Sequence, residues 1–142
     1  MTATATQHES LSPANDAPAR AINWFEIPCA SLDRAQAFYE RVLGRPMLRR
    51  DDLGGGPMAL FARDQPATGG CLLVRPDRAP VGDAGVRIYL DAAPAVQAAL
   101  DRVAAAGGVV LDACMELPEG IGFIAHIRDT EGNTIGLHAM AR

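Results

Sequence analysis

The chain contains no lysine. All 13 of its basic residues are arginine, against 17 acidic ones, and the formal net charge is −4. Nucleic-acid binding therefore has no concentrated positive surface to rest on, and displacing counterions from phosphates requires one. The exclusive use of arginine points to a compositional bias of the source, so no single arginine is diagnostic by its type alone. Cysteine is scarce and odd in number. Cys29, Cys71 and Cys114 lie far apart without a Cys-x-x-Cys pair, which gives a disulfide frame or a closed zinc site no support. Apolar runs long enough to cross a bilayer are missing, so no membrane partner is expected. The first residues also lack a basic stretch followed by an apolar one, the mark of a secretory signal, and a cytoplasmic location is expected. Gly54-Gly55-Gly56 is not followed by Gly-Lys-Ser/Thr and stands between two strand candidates. It reads as a hairpin turn, not a phosphate cradle.

What is present is the makeup of one ordinary globular domain: 142 residues, 49% hydrophobic and 21% charged. Residues 1–20 show neither helical nor strand periodicity and read as a mobile N-terminal tail ahead of a domain over 21–142. Ile22–Cys29 alternates as a half-buried strand, with Phe25, Ile27 and Cys29 on one side and Trp24 and Glu26 on the other. Ser31 then caps an amphipathic helix whose apolar residues run from Leu32 to Leu43, stopped at Gly44. Short strands follow at Met47–Arg50, Pro57–Phe61 and Cys71–Arg75. A second strand-and-helix unit spans Val86–Asp91 and about Ala93–Ala106, and three more strands follow at Val109–Ala113, Gly122–Arg128 and Thr134–Ala139. Gln36–Val42 matches Gln97–Val103 at a constant spacing of 61 residues, which reveals an internal duplication into modules at about 21–76 and 82–140. Each module reads β-α-β-β-β, an α+β class.

Two such modules, the first strand Ile22–Pro28 running into Ser31–Tyr39, and the closing Arg128-Asp-Thr-Glu-Gly-Asn-Thr-Ile-Gly-Leu137 together resemble the vicinal-oxygen-chelate superfamily. That group contains glyoxalases, bleomycin-resistance proteins and extradiol dioxygenases. The resemblance implies two mixed sheets curved into a cup, helices outside, a ligand site on the concave face, and a homodimer. Within that frame strand alternation turns Trp24, Glu26, Arg87, Tyr89, Thr134, Gly136 and His138 toward the cup, Gly136 contributing space. Metal-using relatives carry a carboxylate or imidazole on the first and last strand of each module. The corresponding positions here are Trp24, Gly85, Gly136 and Cys71 or Leu72, which leaves at best one thiol, so no metal and no other cofactor is expected. A displaced set of Glu26, His138 and His126 is the remaining metal arrangement.

The expected function is binding of a small planar or carbonyl- or carboxylate-bearing molecule without a metal. Arg87 would anchor its oxygens, and Trp24 and Tyr89 would form flat walls. The alternative is an enzyme on the same scaffold, either a divergent metal-dependent lyase or dioxygenase, or a metal-free isomerase with Glu26 as catalytic base. Glu131-Gly132-Asn133 reads as a tight hairpin, and Leu117–Gly122 as a rim loop whose two glycines suit a flap.

Overall fold

A computed structural model describes residues 21–142 except 55, 65, 66, 78–81 and 83. The expected tail and parts of the glycine turn and the inter-module linker lie outside these residues. The chain forms β1 (Trp24–Pro28), α1 (Leu32–Leu43), β2 (Leu48–Arg50), β3 (Met58–Leu60) and β4 (Gly69–Leu73). The second half repeats the order with β5 (Tyr89–Asp91), α2 (Val96–Val103), β6 (Val109–Leu117), β7 (Gly122–Arg128) and β8 (Thr134–Ala139). Each half folds on itself into a four-stranded mixed sheet, β1-β4-β3-β2 and β5-β8-β7-β6, and in both the first strand runs parallel to the last. The duplicated α+β architecture read from the sequence is the architecture observed.

The duplication is clearest in what each helix buries. Ala35, Phe38, Tyr39 and Val42 of α1 and Val96, Ala99, Leu100 and Val103 of α2 occupy matching places in the repeat and enter one common core. Ile27, Cys29, Ala59 and Leu72 from the first sheet and Leu90, Ala125, Ile127, Ile135 and Leu137 from the second complete it. Ser31 caps α1 by accepting from the Arg34 amide, and Gly44 ends it at φ 70, both as the sequence predicts. α2 is shorter than expected because Ala95, at its N-cap, offers no side-chain acceptor. β5 is also shorter than the predicted Val86–Asp91: Gly85 turns the chain at φ 85 and Val86 is left 91% exposed. β6 in contrast runs four residues past Ala113 to Leu117. The predicted rim loop therefore shrinks to one 3-10 turn, Pro118–Gly120, whose left-handed positions are taken by Glu119 and Gly120.

The two modules are clasped by the hairpin after β7. Glu131, whose side chain is fully shielded, accepts from the Ala30 and Ser31 amides and takes a two-pronged bond from Arg34 at 2.7 and 2.8 Å. Asn133 donates to the Pro28 carbonyl, and Asp129 receives the buried Tyr39 hydroxyl at 2.7 Å together with the Asn133 amide groups. The second module thus holds the β1–α1 corner of the first. Burial and the neighbouring Asp129 carboxylate push the Tyr39 phenol far up. The Arg34 hydrogen bonds, helped by those from Ser31, Thr130 and Ala30, draw the Glu131 carboxyl down to about 2.

A depressed carboxyl contributes stability above its unfolded value, near 4.5, that is lost as the pH falls through its folded one. Glu131→Gln is expected to cost roughly 2–3 kcal/mol at neutral pH. In urea titrations the gap to the parent protein should close between pH 5 and pH 2; a pH-independent gap would refute the assignment.

Candidate functional site

The sheets are covered by helices on one side only, and the side chains on the other side follow from strand parity. On the first sheet these are Trp24, Glu26, Cys71, Leu73, Met58 and Leu60, in register across β1, β4 and β3. Met58, Cys71 and Leu73 form a small separate apolar cluster there. Burial, and secondarily the Glu26 carboxylate, raises the Cys71 thiol to about 11, which makes it an inert apolar group at neutral pH. Cys29 is raised to about 11 chiefly by burial as well.

On the second sheet the row Tyr89, Gly136, His126, Asp112 crosses all four strands in register. The Tyr89 hydroxyl is 2.7 Å from His126 Nε2, and His126 Nδ1 is 2.8 Å from Asp112 Oδ2. An ionised carboxylate only accepts, so the Nδ1 nitrogen carries the proton of the neutral ring and Nε2 accepts from Tyr89. Two local features make this row possible. A register shift between Val110 and Asp112 inserts one residue into β6, so that Asp112 and not Leu111 stands opposite His126. At Gly136 an added Cβ would overlap the Tyr89 ring, and only glycine lets that ring lie across β8 to reach His126.

A cavity of about 430 Å³ lies where the two sheets approach, bounded by the segment Val86–Asp91 on one side. Opposite stand Phe25, Phe61, Tyr39, Leu43 and Met47, on the helix-facing side of the first sheet. Phe61 sits between Phe25, at 5.5 Å centroid separation, and Tyr39, at 5.4 Å, in an aromatic run. Arg45, Arg63 and Arg87 supply the positive charge of the lining. The Arg45 guanidinium is engaged by the Asp91 and Ala93 carbonyls, and that of Arg63 lies 5.9 Å over the Trp24 ring. Arg87 is exposed, with no hydrogen bond or ion pair among the described residues.

The predicted site residues are therefore distributed. Arg87 and Tyr89 share the cavity of about 430 Å³, and Tyr89 rests on Gly136. Glu26 and Thr134 line a second, smaller recess of about 240 Å³ between β1 and β8, where Glu26 stands 4.0 Å from Arg75. Trp24, 40% exposed, lines a groove with Leu48, Leu53 and Leu60 that adjoins the cavity through Met47, Phe61 and Arg63. His138 donates from Nε2 to the Ile121 carbonyl at 2.7 Å. Sequence reasoning assigned Phe25 and Tyr39 to the core and had no signal for Phe61 as a cavity wall, because a wall and a core filler have the same alternation. Asp112 was missed because a bulge leaves no mark in the residue string.

Vicinal-oxygen-chelate chemistry implies a divalent ion, and the residues present do not fit one. Tyr89 fills the space over Gly136, and Trp24, which offers only an N–H donor, stands at the first-strand position. Among the described residues no three His, Cys, Asp or Glu side chains converge. In the displaced set, His138 is engaged by a carbonyl and His126 by Tyr89 and Asp112.

Duplicated β-α-β-β-β modules with mixed four-stranded sheets define the class to which the chain is now assigned. The family model for the glyoxalase/bleomycin resistance protein/dioxygenase superfamily matches residues 21–137, and the chain belongs to this superfamily. No curated protein matches it. Among solved structures it is similar to a glyoxalase/bleomycin resistance protein from Streptomyces sp. CB03234, at 26% identity and a TM-score of 0.63, over 81% of this chain and 96% of that one. TnmS3, an antibiotic binding protein from the same organism, is 26% identical with a TM-score of 0.60, over 84% and 95% of the two chains. A glyoxalase I variant from Zea mays, 22% identical with a TM-score of 0.63, shares the fold over 82% of this chain and 46% of its own.

Gly136→Ala is expected to displace the Tyr89 ring, break its bond to His126 and cost about 1–3 kcal/mol. Denaturant unfolding together with the His126 ring nitrogen shifts checks both effects; an alanine variant of parental stability and unaltered shifts would contradict the packing.

Proposed function

We propose that this protein binds a small planar molecule bearing a carbonyl or carboxylate in the cavity between the two modules, without recruiting a metal ion. The observation that carries the reading is the pairing of an aromatic wall, Phe25–Phe61–Tyr39, with the exposed guanidinium of Arg87 across a volume in the range of small-ligand sites. A flat guest gains from stacking against those rings, and an oxygen at its edge receives a forked pair of N–H donors from Arg87. Tyr89 lines the cavity on the side facing that wall. The likeness to an antibiotic binding protein supports a binding role and adds a precedent on this fold for guests of that kind. Trp24, Glu26, Thr134 and His138 lie outside this cavity's lining, so the anchoring role falls on Arg87 and Tyr89.

The protein is proposed to act in the cytoplasm as a homodimer. Free thiols at Cys29, Cys71 and Cys114 suit a reducing compartment, and Trp24, Leu48, Tyr89 and Met115 leave apolar surface on the open sides of both sheets.

Isothermal titration with 2-naphthoate, a planar aromatic carboxylate, tests the cavity reading. Binding is expected, weakened about tenfold by Arg87→Ala, which is the loss of one charge-assisted contact, and abolished by Met47→Trp, which fills the space. Undetectable binding, or binding indifferent to Met47→Trp, would defeat the proposal.

A further inference from the structure

We propose that Tyr89, His126 and Asp112 form a proton-transfer site on the open side of the second sheet. In it the Tyr89 hydroxyl is the acid–base group, His126 its proton store and Asp112 the positioning residue. The geometry points to this in three independent ways. First, the two hydrogen bonds are short and continuous, 2.7 and 2.8 Å, and run from an exposed phenol through a shielded imidazole to a carboxylate. Second, the backbone of β6 departs from regular pairing at the residue that brings Asp112, and not apolar Leu111, opposite the ring; an irregularity that re-aims a side chain is a recurrent feature beside active sites. Third, Gly136 vacates the surface that Tyr89 must cross. A tyrosine needed only for burial would not remain 46% exposed with its hydroxyl held in this way.

The chemistry follows from the tautomer. With Nδ1–H bonded to Asp112, Nε2 is a free base facing the phenolic proton. As the Tyr89 oxygen takes a proton from an acidic carbon of a bound molecule, its own proton passes to Nε2. The imidazolium so formed is held beside the Asp112 carboxylate, and the electron pair of the broken C–H bond moves into the ligand as an enolate. Returning the protons in reverse order, from Tyr89 to a different carbon or face and from His126 to Tyr89, completes an isomerisation with no net gain or loss of atoms or electrons. The substrate class is a carbonyl compound with an acidic α-hydrogen. That class rests on the cavity reading above, whereas the activated hydroxyl does not.

The test uses an arylmethylsulfonyl fluoride, phenylmethanesulfonyl fluoride, on the intact protein. The Tyr89 oxygen forms an S–O bond as fluoride leaves, and its proton goes to His126. Peptide mass spectrometry should find the label on Tyr89, with the rate falling at least tenfold in His126→Asn and at least threefold in Asp112→Asn. The Asp112 side chain is 56% exposed, so that variant reads out even if His126→Asn does not fold. Equal labelling rates in the parent and in Asp112→Asn would overturn the relay. Solvent deuterium exchange into phenylpyruvate, lost in Tyr89→Phe, tests the substrate class, and no acceleration by the parent protein would overturn that assignment. Titrating 2-naphthoate into the same preparations separates the two readings: binding retained with no labelling contrast removes the relay alone, and a contrast without binding removes the cavity reading alone.

Discussion

The contact on which the rest of the structure depends is the clasp between the β7–β8 hairpin and the β1–α1 corner. A single carboxylate, Glu131, receives two backbone amides and a guanidinium fork from the other module, while Asp129 and Asn133 secure the Tyr39 hydroxyl and the Pro28 carbonyl. No strand of one sheet pairs with a strand of the other among the described residues, so the relative placement of the modules rests on helix packing, on this polar lock and on arginine–carbonyl bonds such as Arg45 to Asp91 and Arg102 to Val42. A shielded ion is tolerated only with full hydrogen bonding, and here every oxygen of Glu131 is engaged. Tyr39 belongs both to this lock and to the lining of the cavity between the modules.

The tyrosine row occupies the place at which the family resemblance implies a metal ligand. Where a metal-using relative would project a carboxylate from the last strand, this chain has glycine, and the vacated surface carries an aromatic ring from the neighbouring strand. The polar groups of that face lie on the next two strands, at His126 and Asp112, and consist of proton donors and acceptors in a line. Such a row suits proton chemistry and not ion binding, because its members bond to one another and do not converge on a common point.

The duplication, the helix boundaries at Ser31 and Gly44, and the sorting of residues to the two faces of each strand were legible in the string, since periodicity and capping chemistry are local. Cys29, on the same side of β1 as Phe25 and Ile27, was legible as facing the core for the same reason. His138 shows the limit: its strand parity is right, yet its imidazole serves the Ile121 carbonyl across a turn that no local pattern specifies. Glu131 shows it again, since hairpin chemistry explains Gly132 and Asn133 but says nothing of the partner 97 residues away that binds the carboxylate.

By itself the sequence determined the order of strands and helices, which of their faces are apolar, and that one module occurs twice, because hydrophobic period and cap residues act over a few positions. Only the tertiary structure decided that Arg87 and Tyr89 border a cavity apart from Trp24 and Glu26, and that Asp112 reaches His126. Those outcomes depend on how two sheets are set against each other and on one extra residue in β6, both settled by the packing of distant side chains.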